Sequence, residues 1–159
     1  MNIVRGGMTV DSASSDAVEM LRRLPPRHFE QFVADVWQEC QGWRTEVMDP
    51  GPDKGLDVIG EPPAGGAKTA VQCKRYRASN KISSSQIQQY AALRQQWSDV
   101  EGVTVVTTSS FTTSATELAG RLDIRLIDGE KLEQIIRKYD AMDIVKWYAA
   151  GKPKKWNHE

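Results

Sequence analysis

Gly51-Pro52-Asp53-Lys54-Gly55-Leu56-Asp57 and, a short connection later, Val71-Gln72-Cys73-Lys74-Arg75-Tyr76 are the stretch around which the rest of the chain is arranged. The first half is a dense turn signal running into an apolar strand, expected at 56–59. Pro62, Pro63, Gly65 and Gly66 mark the link to a second strand, expected at 70–76. Strand alternation places Leu56 and Val58 on one face with Asp57 and Ile59 on the other. On the next strand Val71 and Cys73 turn to the core, and Gln72, Lys74 and Tyr76 share the opposite face. A carboxylate at the head of one strand therefore meets an amide and an ammonium on the next.

Outward from this centre, the elements alternate. A short helix over about 16–23 ends at Leu24-Pro25-Pro26, and Pro26 suits the first position of a second helix, where its missing N–H costs nothing. Phe29, Phe32, Val33, Val36, Trp37 and Cys40 form that helix's apolar stripe, and Gly42 stops it. Glu30 lies about 100° around the helix from Phe29, at the stripe's edge. Residues 43–48 alternate like a strand and pair through the 49–55 turn with the next. Ser83-Ser84-Ser85-Gln86 resembles a capping box opening a helix to about Ser98, and 103–108 is a β-branched run suited to a buried strand. Ser114 to Glu117 suggests a further capping box for a helix to about Gly120. A fifth strand at 124–127, a helix capped by Asp128 and a last helix over about 140–149 complete the order. This is an α/β fold, a mixed central sheet flanked by helices.

The composition excludes several classes. With 159 residues, 40% apolar and 26% charged, the chain is long enough for one core and has no apolar run able to span a bilayer. No secretory signal is evident, which favours a cytoplasmic protein. Cys40 and Cys73, with only His28 and His158 as imidazoles, suggest neither a zinc site nor a disulfide framework, and both cysteines are expected to be small buried hydrophobes. The absence of G-x-x-x-x-G-K-[ST] and G-x-G-x-x-G argues against a nucleotide cofactor.

Formal net charge is zero, but its distribution is uneven. Residues 1–61 hold six Lys/Arg against eleven Asp/Glu, whereas 62–98 hold six Lys/Arg and no acid. Lys68, Lys74, Arg75, Arg77, Lys81 and Arg94 thus form a basic island, the electrostatic footprint expected of a phosphate-binding surface. Tyr76, Tyr90, Ser79, Asn80 and Ser83 to Ser85 add neutral donors suited to phosphate oxygens. Such a run is also what a solvated face looks like, as is the basic tail with Lys152, Lys154 and Lys155.

Phosphodiester hydrolysis needs charge neutralised at phosphorus, a nucleophile made from water and a leaving oxyanion stabilised, and one divalent cation serves all three. Magnesium takes hard oxygen ligands and keeps several waters. Asp57, Glu30, Gln72 and the backbone oxygen of Cys73 are a sufficient set, with Lys74 to orient water or steady charge. An Asp and a Gln-x-Lys pair also occur together by chance on surface strands, so spacing alone is a weak signal.

From about Leu24 to Ile136 the chain resembles the Mrr-type restriction endonuclease domain of the PD-(D/E)xK nuclease superfamily. The resemblance is carried by Phe29-Glu30, Gly42-Trp43, Asp53-Lys54-Gly55-Leu56-Asp57 and Val71-Gln72-Cys73-Lys74-Arg75-Tyr76. Further blocks are Thr107 to Thr112 with Ala115, and Leu126-Ile127-Asp128-Gly129 with Leu132. It implies an α-β-β-β-α-β core and Mg²⁺-dependent DNA cleavage, with Mn²⁺ able to substitute. By position, Glu30 is the helix-borne acid, Asp57 the metal-binding aspartate, Gln72 the occupant of the usual acidic-ligand position and Lys74 the catalytic lysine. Arg75, Arg77, Lys81 and Gln86 are the expected nucleic-acid contacts. Two departures stand out: Leu56 precedes Asp57 where Pro is usual, and Gln72 brings no charge, so cation affinity leans on Asp57 and Glu30.

The expected organisation is an extension over 1–23, the nuclease domain over 24–138 and a C-terminal helix and tail over 139–159. Cutting both strands takes two sites, which makes a homodimer one expected partner beside DNA. Two other functions compete: a structure-selective nuclease of the Holliday-junction-resolvase type, and a nucleic-acid-binding module without catalysis.

Overall fold

A computed structural model describes residues 17–48 and 56–151. The expectations for the chain start, the 49–55 turn with Asp53, and the lysine tail lie outside the described residues. Helix α1 occupies 17–22 and α2 runs Pro26–Gln41. Then follow β1 (Arg44–Val47), β2 (Val58–Glu61), β3 (Lys68–Lys74), α3 (Ser84–Ala91), α4 (Leu93–Gln96), β4 (Val100–Thr107), α5 (Thr113–Leu122), β5 (Ile124–Ile127), α6 (Gly129–Lys138) and α7 (Met142–Ala149). The sheet order is β1-β2-β3-β4-β5, antiparallel from β1 to β3 and parallel from β3 to β5. This is the expected α-β-β-β-α-β order around a mixed sheet.

Both sheet faces are covered. One layer joins Leu21, Phe29, Phe32, Val36 and Tyr148 to Val58, Val71, Cys73 and Val106. The other packs Ile82, Ile87, Tyr90, Leu93 and Ala115 onto Leu56, Ala70, Val103 and Val105. β4, the strand expected to be buried, lies between β3 and β5 and is buried along most of its length. Gly42 ends α2 in the left-handed conformation (φ 73°), where its N–H bonds Gln38 O, as a Gly cap should. No described helix is long and apolar enough to cross a membrane.

Four local expectations are corrected. Leu56 and Val58 lie on opposite faces, because the β2 ladder begins only at Val58 and alternation does not extend to the residues before it. The 83–98 helix breaks after Ala91: Ala92 N–H takes the tighter bond to Gln89 O, and the chain is re-aimed so that Leu93 reaches the core. Thr112, not Ser114, caps α5, accepting from Ala115 N at 3.0 Å. Thr112 N is itself bonded to Ile82 O, which holds this residue extended and starts the helix early. Cys40 is only half-buried, although Cys73 is buried as expected.

Candidate active site

β3 runs past the end of β2. Their pairing stops at Val58 opposite Val71, which leaves the outer edge of Cys73 without a strand partner. Asp57 fills that edge: its Oδ2 accepts from Cys73 N–H at 2.8 Å, while its own carbonyl takes Met48 N–H just after β1. A strand residue turns its N–H and C=O to the same side, so the Cys73 carbonyl projects toward Asp57 as well. Glu30 reaches the same place from α2, where Arg27 Nη1 holds its Oε1 at 3.2 Å. Pro26, Glu30, Asp57, Cys73, Lys74, Arg75, Tyr76, Arg77 and Asn80 line a cavity of about 420 Å³.

The electrostatics of this cavity are those of two crowded acids. Burial, opposed by the Cys73 N–H bond and the Lys74 charge but reinforced by Glu30, raises Asp57 from its ordinary 3.8 to about 7. Cys73 is pushed well above its usual range, first by burial and then by Asp57 and Glu30, so it is an inert thiol behind the acids.

Lys74 ends β3 beside both the Asp57 cavity and a second one of about 470 Å³, lined by Gln72, Gln86, Gln89, Tyr90 and Leu93 among others. Its Nζ stands 5.7 Å from the Tyr90 ring centroid. Burial, with Tyr76 adding, lifts the Tyr90 phenol to about 12 and keeps that ring neutral under the ammonium. Gln86 donates from Nε2 to Tyr76 Oη at 3.0 Å and accepts Ser83 N–H through Oε1, the expected cap contact.

Asp57, Glu30, Lys74 and Arg75 therefore come together with Arg77, whereas Gln72 and Gln86 line the neighbouring cavity. Gln72 shares a face with Lys74 as alternation required, yet it is 4% exposed and its Oε1 has no partner among the described residues. Lys81 is exposed beyond the turn in which Asn80 N bonds Arg77 O.

The basic island is not one surface. Lys68 begins β3, at the end of the strand away from Lys74, and pairs with Asp99 at 3.3 Å. Arg94 donates to the carbonyls of Glu101, Leu122 and Asp123, tying α4 to the end of α5. Arg22 and Arg23, distant in sequence, replace them: with Glu19, Arg75, Arg77, Ala78 and Ser79 they line a third cavity of about 580 Å³.

Strand and helix patterns also missed what holds the segment after β3 in place. Thr107 Oγ1 donates to Lys74 O at 2.7 Å, Thr108 Oγ1 donates to Tyr76 O at 2.6 Å and accepts Tyr76 N–H, and Ser109 Oγ donates to Ala78 O. Three successive residues leaving β4 thus fasten residues 74–78 by side-chain bonds. Arg22 Nε and Nη2 both donate to Thr108 O, and Arg75 Nη1 donates to Arg22 O. Gly129 must be glycine here, since a Cβ would stand 2.8 Å from that same Thr108 oxygen. The sequence trace of this device was the Thr-Thr-Ser-Ser block in the resemblance, whose polar residues close an otherwise apolar strand.

The donor set fits a hard divalent cation. Two carboxylates line one cavity, where burial and then Glu30 raise Asp57, a strand edge supplies a carbonyl, and the buried Gln72 amide oxygen in the adjoining cavity has no partner among the described residues. Among the described residues no group of three His, Cys, Asp or Glu side chains is placed to hold an ion, so backbone oxygen and water would complete the shell.

Comparison with known proteins agrees with this fold. A family model described as restriction endonuclease, the Mrr catalytic domain, matches residues 21–136. A search of curated proteins finds no match. Among solved structures, the DNA modification-dependent restriction endonuclease AspBHI aligns with TM-score 0.69 at 19% identity, over 87% of this chain and 39% of that one. MspJI restriction endonuclease, solved with a 27-mer oligonucleotide, aligns with TM-score 0.66 at 21% identity, over 91% and 36%. Restriction endonuclease FokI, bound to DNA, gives 0.56 at 12%, over 85% and 29%. The chain spans under two fifths of the length of each of these neighbours, and at such identities they speak for the fold. The family match covers most of the chain and both halves of the Asp57–Lys74 site, and the chain belongs to the restriction endonuclease family of the Mrr catalytic type.

Proposed function

We propose that this domain is a Mg²⁺-dependent DNA endonuclease of the restriction type, acting on modified or foreign DNA, with Mn²⁺ able to substitute. One observation carries it: one cavity at a strand edge is lined by Asp57 and Glu30 together with Lys74, Arg75 and Arg77. Two neighbouring acids, one of them largely buried, are stabilised by a bound cation, which Asp57 and Glu30 would hold. When bound, the divalent ion supplies Lewis acidity and lowers the pKa of water.

The chain's own groups do the rest. Asp57 and Glu30, with the Cys73 carbonyl beside them and the Gln72 amide in the adjoining cavity, would hold the ion. Lys74 brings an ammonium to the reacting phosphate, orienting water and stabilising the negative charge that builds there. Arg75 and Arg77, with Lys81 and Gln86 beyond them, position the backbone phosphates without reading bases. A double-strand break takes two such sites, which a homodimer would supply.

Purified protein with supercoiled plasmid and Mg²⁺ tests the proposal, alongside Asp57→Ala and Lys74→Ala proteins whose folding is checked by circular dichroism. Cleavage by wild type that stops on adding EDTA, and falls by at least about a hundredfold in each variant, is expected. Equal nicking by all three proteins would sink it.

A further inference from the structure

The arginine-lined cavity beside the one containing Asp57 and Lys74 shares Arg75 and Arg77 with it but also has Arg22, Arg23 and Ser79, to which the reading above gives no role. Its walls come from α1 and the segment following β3. Arg22 is committed to structure, since its guanidinium donates to Thr108 O twice and pairs with Glu19 at 2.8 Å. That pairing also compensates the carboxylate that Glu19 brings to the cavity. Arg75 is anchored through Nη1 to Arg22 O, while its buried Nε has no partner among the described residues. Arg23 and Arg77 are exposed, and their guanidiniums have no hydrogen bond or ion pair among the described residues. Ser79 adds a hydroxyl. Holding several guanidiniums around one space is unfavourable unless an anion enters, and planar N–H donors suit phosphate oxygens.

Position supports the same ligand. Arg75 and Arg77 line both this cavity and the one containing Asp57 and Lys74. Alternate residues of an extended chain lie within about 7 Å of each other, so the two spaces adjoin. A strand whose scissile phosphate rests against Asp57 and Lys74 carries its next phosphates past Arg77 toward Arg23. We propose that Arg23 and Arg77, set by Arg22 and Arg75, form a second phosphate site that grips the DNA backbone beside the scissile bond. It deepens the nuclease proposal and rests on it.

The test separates the two. Binding of a fluorescent 20-bp duplex is measured from 50 to 300 mM salt in Ca²⁺ for wild type, Arg23→Ala, Arg77→Ala, the double variant and an Arg121→Ala control on α5. All these side chains are exposed, so folding is spared. One lost phosphate contact flattens the slope of log K against log salt by about 0.9, equal to roughly eightfold weaker binding at 0.1 M. The double variant is expected to lose one to two such contacts and Arg121→Ala none.

Unchanged slope and affinity in the double variant would overturn the second site even if plasmid cleavage by wild type proceeds. A flattened slope with no cleavage by wild type would uphold the site and defeat the nuclease reading. Competition by 10 mM inorganic phosphate at constant ionic strength, as strong in the double variant as in wild type, counts against it. Equal loss of affinity for a 20-nucleotide RNA would overturn its assignment to DNA.

Discussion

Replacing Asp57 by Asn should make the metal-free protein more stable. Asp57 is pushed from 3.8 to about 7, chiefly by burial and with Glu30 adding, so above pH 7 the folded state holds a carboxylate that water would rather solvate. Three pKa units correspond to about 4 kcal/mol at pH 8. Water reaching the half-exposed carboxylate lowers this to an expected 2–4 kcal/mol, or roughly 5–15 °C in Tm for a chain of this size. Asn keeps an oxygen for the Cys73 N–H and an amide to offer Glu30.

The sign follows from the raised pKa. Relative stability from this group is full below the unfolded pKa and is lost as pH rises through 7. The advantage of Asp57→Asn is therefore greatest at pH 8 and falls below about 2 kcal/mol by pH 5. Thermal melts of both proteins at pH 5, 6, 7 and 8 in EDTA measure it. Repeating them with Mg²⁺ should stabilise wild type by about 2.7 kcal/mol at a hundred times Kd and leave Asp57→Asn unmoved. A variant less stable than wild type at pH 8, or a difference independent of pH, would refute the reasoning.

Four further outcomes are expected. Glu30→Gln should weaken Mg²⁺ binding, read by calorimetry, by about tenfold, while Cys73 N–H protection from exchange persists. Thr108→Val removes both bonds to Tyr76 from a fully buried side chain, costing about 1–3 kcal/mol in urea unfolding and reducing plasmid cleavage more than stability explains. Gly129→Ala forces a Cβ onto Thr108 O, the acceptor for Arg22, and should lower stability by about 1–3 kcal/mol, seen as a lower urea midpoint. Arg94→Ala should lower Tm without altering the salt dependence of DNA binding, because its guanidinium is spent on three backbone carbonyls; a flatter salt slope would return it to the DNA surface.

Much of this was legible in local pattern. The stripe from Phe29 to Trp37, with Pro26 before it and Gly42 after, specifies α2 through its period of 3.6, and the β-branched run at 103–107 specifies a buried strand. Asp128 as a helix cap followed from its short acceptor side chain ahead of an apolar face. Alternation correctly put Gln72 and Lys74 on one face. It failed at Leu56, because period two is a property of a paired ladder and pairing begins only at Val58.

The basic island shows the other limit. Charge along the chain counts Lys68 and Arg94 with Lys74 and Arg75, but a seven-residue strand separates its ends by about 20 Å and an arginine near a helix end can be consumed by carbonyls. Arg22 and Arg23, some fifty residues away, fill the vacated place through the packing of α1 against the end of β4.

By itself, then, the sequence determined the order of helices and strands, the acid–amide–lysine constellation and its family, since periodicity, capping and motif are written in neighbouring residues. Tertiary structure alone decided that Asp57 crowds Glu30 at the free edge of Cys73, that Gln72 is buried in the cavity next door, and which arginines face it. Those depend on where the β2 ladder stops and on which layer covers each face, and such contacts are made between residues that no local pattern connects.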